Sequence, residues 1–203
     1  MSEQITVFIV DDDEEVRDSL KLLIESVGLE TETFDSAETY LKSFDPSRAG
    51  CLILDVRMKG MSGLSLQEHL SKEAIHPPII IITGHGDVQM AVKAVKAGAS
   101  EFLEKPFNEQ LLLDSIHVAI EKDAEQRGRA SKLAEIQQTV NSLTEREKEV
   151  MELVVTGMQN KNIASELHIT QSTVEAHRAK VMEKMEARTL SALMRMIISL
   201  RPI

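Results

Sequence analysis

Four short apolar runs in the first half of the chain each stop at a polar residue of a particular kind. Residues 7–10 lead into Asp11, Asp12 and Asp13; residues 51–54 end at Asp55; residues 79–82 end at Thr83; and the run around Phe102 and Leu103 gives way, after Glu104, to Lys105-Pro106. Uninterrupted apolar runs of this length suit parallel strands covered on both faces. Parallel strands of one sheet bring their carboxyl ends to a shared edge, which is where open α/β sheets bind ligands. Three or four carboxylates, a hydroxyl and an ammonium would then line one pocket, a set suited to a divalent metal and a phosphoryl group.

Strand and helix patterns alternate from residue 5 to about 121. A strand over 5–10 precedes a helix with Val16, Leu20, Leu23, Ile24 and Val27 on one stripe, stopped at Gly28. After a strand near 30–34, Asp35 and Glu38 stand at capping-box spacing before the next helix. The strand ending at Asp55 opens into a loop shaped by Gly60 and Gly63, followed by a helix through 64–70. Pro77-Pro78 breaks the chain before the isoleucine strand; a helix over about 88–97, a short strand at 101–103 and a helix over about 108–121 complete the pattern. Five βα units with right-handed crossovers predict a doubly wound, flavodoxin-like five-stranded parallel sheet, with its crevice beside the first strand.

Residues 122–142 carry no strand signal. Their sparse apolar residues (Ala130, Leu133, Ile136, Val140) keep helical spacing, which predicts a helical linker weakened at Gly128. From Leu143 the pattern is all helical. Thr144 and Glu147 form a capping box before Val150, Met151, Leu153 and Val154, and Gly157 ends that helix. A short helix over about 161–167, a turn at His168-Ile169-Thr170, a helix over about 171–185 and a last one over about 191–200 follow. The expected domains are therefore 1–121, a linker over 122–142, and 143–203.

Charge is unevenly spread. Of the net charge of −10, residues 1–120 carry −11, whereas 143–203 carry +1. The helical part thus lacks the strong basic excess of many nucleic-acid binders and depends on local arrangement for a basic face. The single cysteine, Cys51, excludes an internal disulfide and reads as a small core residue. No apolar stretch reaches the roughly 20 residues needed to span a bilayer, and the start, MSEQITVFIV, has no basic region ahead of its strand. The expectation is a cytoplasmic protein without membrane contact.

Asp11, Asp12 and Asp55 are hard oxygen donors, and carboxylates packed together repel unless a cation intervenes. An aspartyl phosphate at this edge would present its oxygens to the metal, to the Lys105 ammonium and to the Thr83 hydroxyl, with catalysis by positioning and charge neutralisation. FIVDDDEEVR, LILDVRMKGMSG, IIIITGHGDV and EFLEKPF resemble the receiver domain of two-component response regulators over about residues 1–121. The resemblance implies that Asp55 accepts phosphate from a sensor histidine kinase. It implies magnesium (or manganese) on Asp12, Asp55 and the Arg57 backbone carbonyl, with Asp11 acting through water. Thr83 and Lys105 would contact the phosphoryl group, and Phe102 occupies the place of the aromatic switch residue, a role compatible with ordinary strand core. Two positions depart from the pattern: Lys59 and Gln89 stand where such receivers usually carry proline. Proline fixes φ and stiffens a loop, so both loops are expected to be more mobile.

LTEREKEVMELVVTGMQNKNIASELHITQSTVEAHRAKVMEKM resembles the LuxR-type helix-turn-helix domain over about residues 143–200. Together the halves are similar to response regulators of the NarL/FixJ type, nearer the FixJ side. By that resemblance Glu175, Ala176 and Ala179 fall where bases are read in the major groove; Glu can accept from cytosine N4 and Ala can meet a thymine methyl. Lys161, Thr173, Arg178, Lys180 and Lys184 are candidates for phosphate contacts, which set affinity and salt dependence. The implied partners are the kinase, promoter DNA, RNA polymerase and a second copy of the chain on activation. The implied activity is transcription control rather than enzymatic turnover, beyond self-catalysed phosphorylation and dephosphorylation of the receiver.

Other readings stay open. A phosphorelay or protein-interaction module would keep the receiver without binding DNA. A ligand-gated LuxR-type regulator would need a closed apolar pocket that the doubly wound pattern does not supply. An aspartyl-phosphate hydrolase of the haloacid dehalogenase type needs a second Asp two residues after the nucleophile as acid/base, and here that residue is Arg57.

Overall fold

The computed structural model describes residues 5–73, 75–84 and 88–200. The His85-Gly86-Asp87 segment of the fourth-strand motif lies outside them. The chain divides into two compact units, residues 1–127 and 128–203.

In the first unit five strands, β1 (Thr6–Val10), β2 (Glu30–Phe34), β3 (Gly50–Asp55), β4 (Ile79–Thr83) and β5 (Glu101–Glu104), pair in the order β2-β1-β3-β4-β5, all parallel. Helices α1 (Glu14–Ser26), α2 (Ala37–Ser43), α3 (Gly63–Leu70) and α4 (Val88–Lys96) make the crossovers, and the first part of α5 (Glu109–Asn141) packs back on the sheet. Side chains alternate across a strand, and this splits the core in two. Val7, Ile9, Cys51, Ile53, Ile80 and Ile82 face α1 and α5 through Leu20, Ile24, Leu112 and Ile116. Phe8, Val10, Leu52, Leu54, Ile79 and Ile81 face the other helices through Tyr40, Leu66, Leu70 and Ala94. Each isoleucine of β4 is at most 2% exposed, a burial worth about 2 kcal/mol per side chain.

The helix expected over about 108–121 and the helical linker expected over 122–142 form one element: α5 runs 33 residues, from Glu109 to Asn141, through Gly128. A helical glycine costs about 1 kcal/mol relative to alanine without breaking the helix. The helix is also anchored past residue 121. Asp123, 1% exposed, accepts from the Gly50 N–H at 2.9 Å and from Arg127 Nε at 2.7 Å. Arg127 donates further to the carbonyls of Pro46, at 2.7 Å, and Arg48. These bonds carry the first unit six residues past the expected boundary.

In the second unit α6 (Glu145–Val155), α7 (Asn160–Glu166), α8 (Gln171–Lys184) and α9 (Leu190–Ser199) close around Val150, Val154, Ile163, Val174, Val181 and Leu193, with Ile136 and Val140 of α5 against them. α7 ends with His168 left-handed at φ 54°; the His168 and Ile169 N–H groups donate back to the carbonyls of Ser165 and Ala164. α8 ends the same way, with Glu186 at φ 50° and the N–H groups of Glu186 and Ala187 returning to Glu183 and Met182. Both are Schellman stops, which usually use glycine.

Candidate functional site

Strand register assembles the pocket. Val10 pairs with Leu54, which sets Asp11 beside Asp55 on the next step; Asp55 pairs with Ile82, and Thr83 with Glu104, just before Lys105. Asp11, Asp55 and Thr83 are buried at 1%, 5% and 1% exposure. Lys105 Nζ bridges the two acids, 2.7 Å from Asp11 Oδ2 and 3.1 Å from Asp55 Oδ1. The remaining carboxylate oxygens take backbone donors: the Asp13 N–H reaches Asp11 Oδ1 at 2.9 Å, and the Arg57 N–H reaches Asp55 Oδ2 at 2.6 Å. Asp13 caps α1 by accepting from the Glu15 N–H at 3.0 Å, and Arg17 donates to the Asp11 carbonyl at 2.7 Å.

The electrostatics follow from this packing. Burial pushes the Asp55 carboxyl above the usual carboxylate range, against the pull of Lys105. Burial also works against the Lys105 ammonium, but hydrogen bonding to Asp11 and the charges of Asp11 and Asp55 outweigh it and hold its pKa above the ordinary lysine value. Asp55 is therefore an acid whose negative charge is poorly compensated, beside a cation that stays charged.

Asp12 is exposed, and among the described residues no three His, Cys, Asp or Glu side chains gather closely enough to form a metal cage. Magnesium does not need one, because it keeps several waters and takes one or two carboxylates. Asp11 and Asp55 already converge on one cation, the lysine, with the exposed Asp12 and the backbone of Arg57 next in the chain to them. The donor set fits a hard divalent ion.

Phe102 is half-buried on β5 against the α2–α4 side of the core, among the residues packed on Leu54 and Ile81. Lys59 is exposed in the β3–α3 loop and Gln89 is exposed in the first turn of α4.

In the second unit the Thr170 hydroxyl caps α8 by accepting from the Thr173 N–H at 3.2 Å. Val174 and Val181 face the core, leaving Glu175, Ala176, Ala179 and Lys180 exposed on the other side of α8, with Lys161 exposed on α7. Thr173 is half-buried, its hydroxyl 2.7 Å from that of Thr170. Two of the predicted phosphate contacts are engaged within the fold. Arg178 Nη1 donates to Asn160 Oδ1 at 2.9 Å, and Lys184 Nζ meets Glu147 Oε2 at 2.6 Å. Lys184 is thus brought to the α6 capping box rather than to the outward face of α8. Spacing did not reveal its partner, which lies 37 residues away. Asp123 with Arg127 also escaped notice, since an acid and a base four apart on a helix ordinarily form a solvated pair.

Comparison with known proteins agrees with this layout. Residues 7–117 match the family described as the response regulator receiver domain, and residues 141–197 match the luxR family of bacterial regulatory proteins. Nodulation protein W of Bradyrhizobium diazoefficiens is 47% identical over 195 residues, 96% of this chain and 86% of the relative. The transcriptional regulatory protein FixJ of Azorhizobium caulinodans is 41% identical over 198 residues, 98% of this chain and 94% of the relative. Among solved structures, response regulator StyR superimposes with a TM-score of 0.83 at 47% identity, over 96% of this chain and 98% of that one. Full-length FixJ from B. japonicum does so with a TM-score of 0.58 at 38% identity, covering 98% of both.

Proposed function

The chain belongs to the two-component response regulators of the NarL/FixJ type, which join a receiver domain to a LuxR-type DNA-binding domain, and from that premise we propose that phosphorylation of Asp55 by a sensor histidine kinase controls its dimerisation and sequence-specific DNA binding. The observation that carries this reading is the Asp55 carboxylate, buried at the end of β3 with Lys105 Nζ at 3.1 Å and Asp11 on the far side of that ammonium.

An Asp55 oxygen attacks the phosphorus of a phosphohistidine. The P–N bond breaks, its electron pair returns to the imidazole, and an acyl phosphate forms on Asp55. The chain's contribution is orientation and charge. The Arg57 N–H holds one carboxylate oxygen at 2.6 Å and so aims the other. Lys105, kept charged by Asp11, meets the added phosphoryl oxygens, and the buried Thr83 stands at the end of the neighbouring strand. Asp12, Asp55 and the Arg57 carbonyl, with Asp11 acting through water, would hold a magnesium ion, which would supply further charge neutralisation. Drawing Lys105 and Thr83 toward the new charge biases a two-state receiver in which Phe102 shifts with β5.

The phosphoacceptor domain covers about residues 1–121, the helical linker 122–142 and the helix-turn-helix domain 143–203. Glu175, Ala176 and Ala179 meet bases, and Lys161, Thr173, Arg178 and Lys180 bind or position the backbone. Two copies on two half-sites compensate for the near-neutral charge of the domain. RNA polymerase is the partner through which bound regulator acts. Among the described residues no helix is long and apolar enough to cross a membrane.

Intact mass after incubation with magnesium and a small phosphodonor tests the reading. One added phosphoryl group is expected on the parent and none on Asp55→Asn, with tighter promoter binding by the phosphorylated form. Addition to both proteins, or to neither, overturns it.

A further inference from the structure

The loop between β3 and α3 carries the Arg57 backbone, whose N–H orients Asp55. Three observations describe how that loop is held. Its base is closed by the Gly63 N–H donating to the Val56 carbonyl at 3.0 Å; a side chain at Gly63 would put its Cβ 2.1 Å from the Asp55 carbonyl oxygen, so only glycine allows this closure. Its apolar side chains Met58 and Met61 pack on the core. Its tip turns at Gly60, with φ at 80°, and the next N–H, that of Met61, donates to Glu38 Oε1 at 3.0 Å. Glu38 lies in the first turn of α2, the helix that precedes β3 in the chain, and its carboxylate also lies against Gly60, where an added Cβ would be 2.8 Å from Oε1.

We infer that Glu38 is a positioning residue for the phosphoacceptor loop, holding the Gly60-Met61 tip so that the Arg57 backbone keeps its orientation at Asp55 and toward a bound cation. The position before the Gly60 turn is Lys59, so no proline restricts the loop there. Proline restricts the loop through the backbone itself; here the restriction comes from outside the loop, as a carboxylate that accepts the tip N–H. Glutamate at position 38 was legible in the sequence only as half of a capping pattern with Asp35. In the structure the α2 cap is Ser36, which accepts from the Thr39 N–H, and the Glu38 carboxylate is turned to the loop instead.

The inference rests on the phosphoacceptor reading of Asp55, and its test separates the two. Magnesium affinity of the full chain is measured by titration calorimetry, and phosphoryl incorporation from a small phosphodonor by intact mass, for the parent, Glu38→Ala, Glu38→Gln, and Glu38→Ala combined with Lys59→Pro. Loss of one charge-assisted bond at the tip is expected to weaken magnesium binding about three- to tenfold in Glu38→Ala. Glu38→Gln, which keeps an acceptor oxygen, should stay within about twofold of the parent. The Lys59→Pro change should restore most of the loss in the Glu38→Ala background, a rescue that general destabilisation of α2 does not produce. Unchanged magnesium affinity in Glu38→Ala, or a loss that Lys59→Pro leaves in place, overturns the positioning role. A parent that binds magnesium but takes up no phosphoryl group overturns the phosphoacceptor reading alone, because the affinity comparison still decides the role of Glu38.

Discussion

The Glu147 carboxylate and the Lys184 ammonium meet at 2.6 Å and join the first turn of α6 to the last turn of α8. The same Glu147 oxygen accepts the Thr144 N–H at 2.9 Å. Hydrogen bonding to Lys184, then to the Thr144 backbone, holds the carboxyl down from 4.5 to about 2. A depressed carboxylate stabilises the fold fully above its unfolded value and loses that contribution as pH falls through its folded value. The stability of the C-terminal unit should therefore decline between about pH 4.5 and 2. Glu147→Gln should flatten that decline, as followed by circular-dichroism melts at stepped pH. Lys184→Gln should lower the melting temperature while leaving the salt dependence of DNA binding unchanged. A slope reduced by about one unit at unchanged stability would assign Lys184 to DNA phosphate instead.

Arg127 should matter to the first unit more than its place in a linker suggests. It serves Asp123 and two carbonyls at once, and its side chain is 13% exposed against 2% for Asp123. Removing one partner of a buried pair leaves an uncompensated charge and costs about 3–5 kcal/mol. Arg127→Ala is expected to destabilise the receiver by that amount in urea unfolding, and Arg127→Met with Asp123→Leu to recover much of it. A loss under about 1 kcal/mol for the single variant would mean that the pair is solvated.

These two pairs mark where the sequence stopped being readable. The sheet was legible because β1, β3 and β4 are buried on both faces and lead to Asp11, Asp55 and Thr83, so strand type, shared edge and pocket follow from one pattern. The groups that hold the elements together were not legible. Asp123 looks like a surface acid until Gly50 brings the start of β3 against it, and Lys184 looks like a free cation until α6 and α8 cross. The contacts that carry the first unit past residue 121 were hidden for the same reason. Composition changes near residue 121, whereas the bonds of Arg127 continue six residues further.

Asp55 should destabilise the receiver in the absence of divalent cations. Burial raises its carboxyl, so its contribution to stability is greatest below the ordinary value of 3.8 and falls as pH rises through the raised one. Asp55→Asn removes that buried charge and is expected to melt a few degrees higher than the parent at neutral pH. Magnesium should then stabilise the parent and leave the variant unchanged. A variant that melts lower than the parent would show that the bond to Lys105 outweighs the burial cost.

His168 and Glu186 occupy left-handed positions that close α7 and α8. That conformation costs a side chain with a Cβ about 1 kcal/mol, which glycine does not incur. His168→Gly and Glu186→Gly should each stabilise the domain by somewhat less than 1 kcal/mol after the entropy of the unfolded chain is counted. Additive gains in urea midpoints are expected, since the two stops share no hydrogen-bond partner. A loss at His168 alone would indicate that its imidazole makes a contact worth more than the backbone relief.

The outward face of α8 should divide into residues that set affinity and residues that set sequence. Lys161 and Lys180 are exposed, so each alanine variant should weaken binding to all sequences alike and reduce the slope of log affinity against log salt by about 0.9. Arg178 is held by Asn160, so Asn160→Ala should mimic part of the Arg178→Ala loss by releasing the guanidinium. Glu175 is exposed on the same face, where Gln171 donates to it at 3.2 Å. If it reads a cytosine, Glu175→Gln should relax the preference at one base position by about 1–3 kcal/mol and leave the salt slope intact. Binding of randomised sites at two salt concentrations measures both quantities. A Glu175→Gln variant with unchanged preference at every position would remove Glu175 from base recognition and leave the task to Ala176 and Ala179.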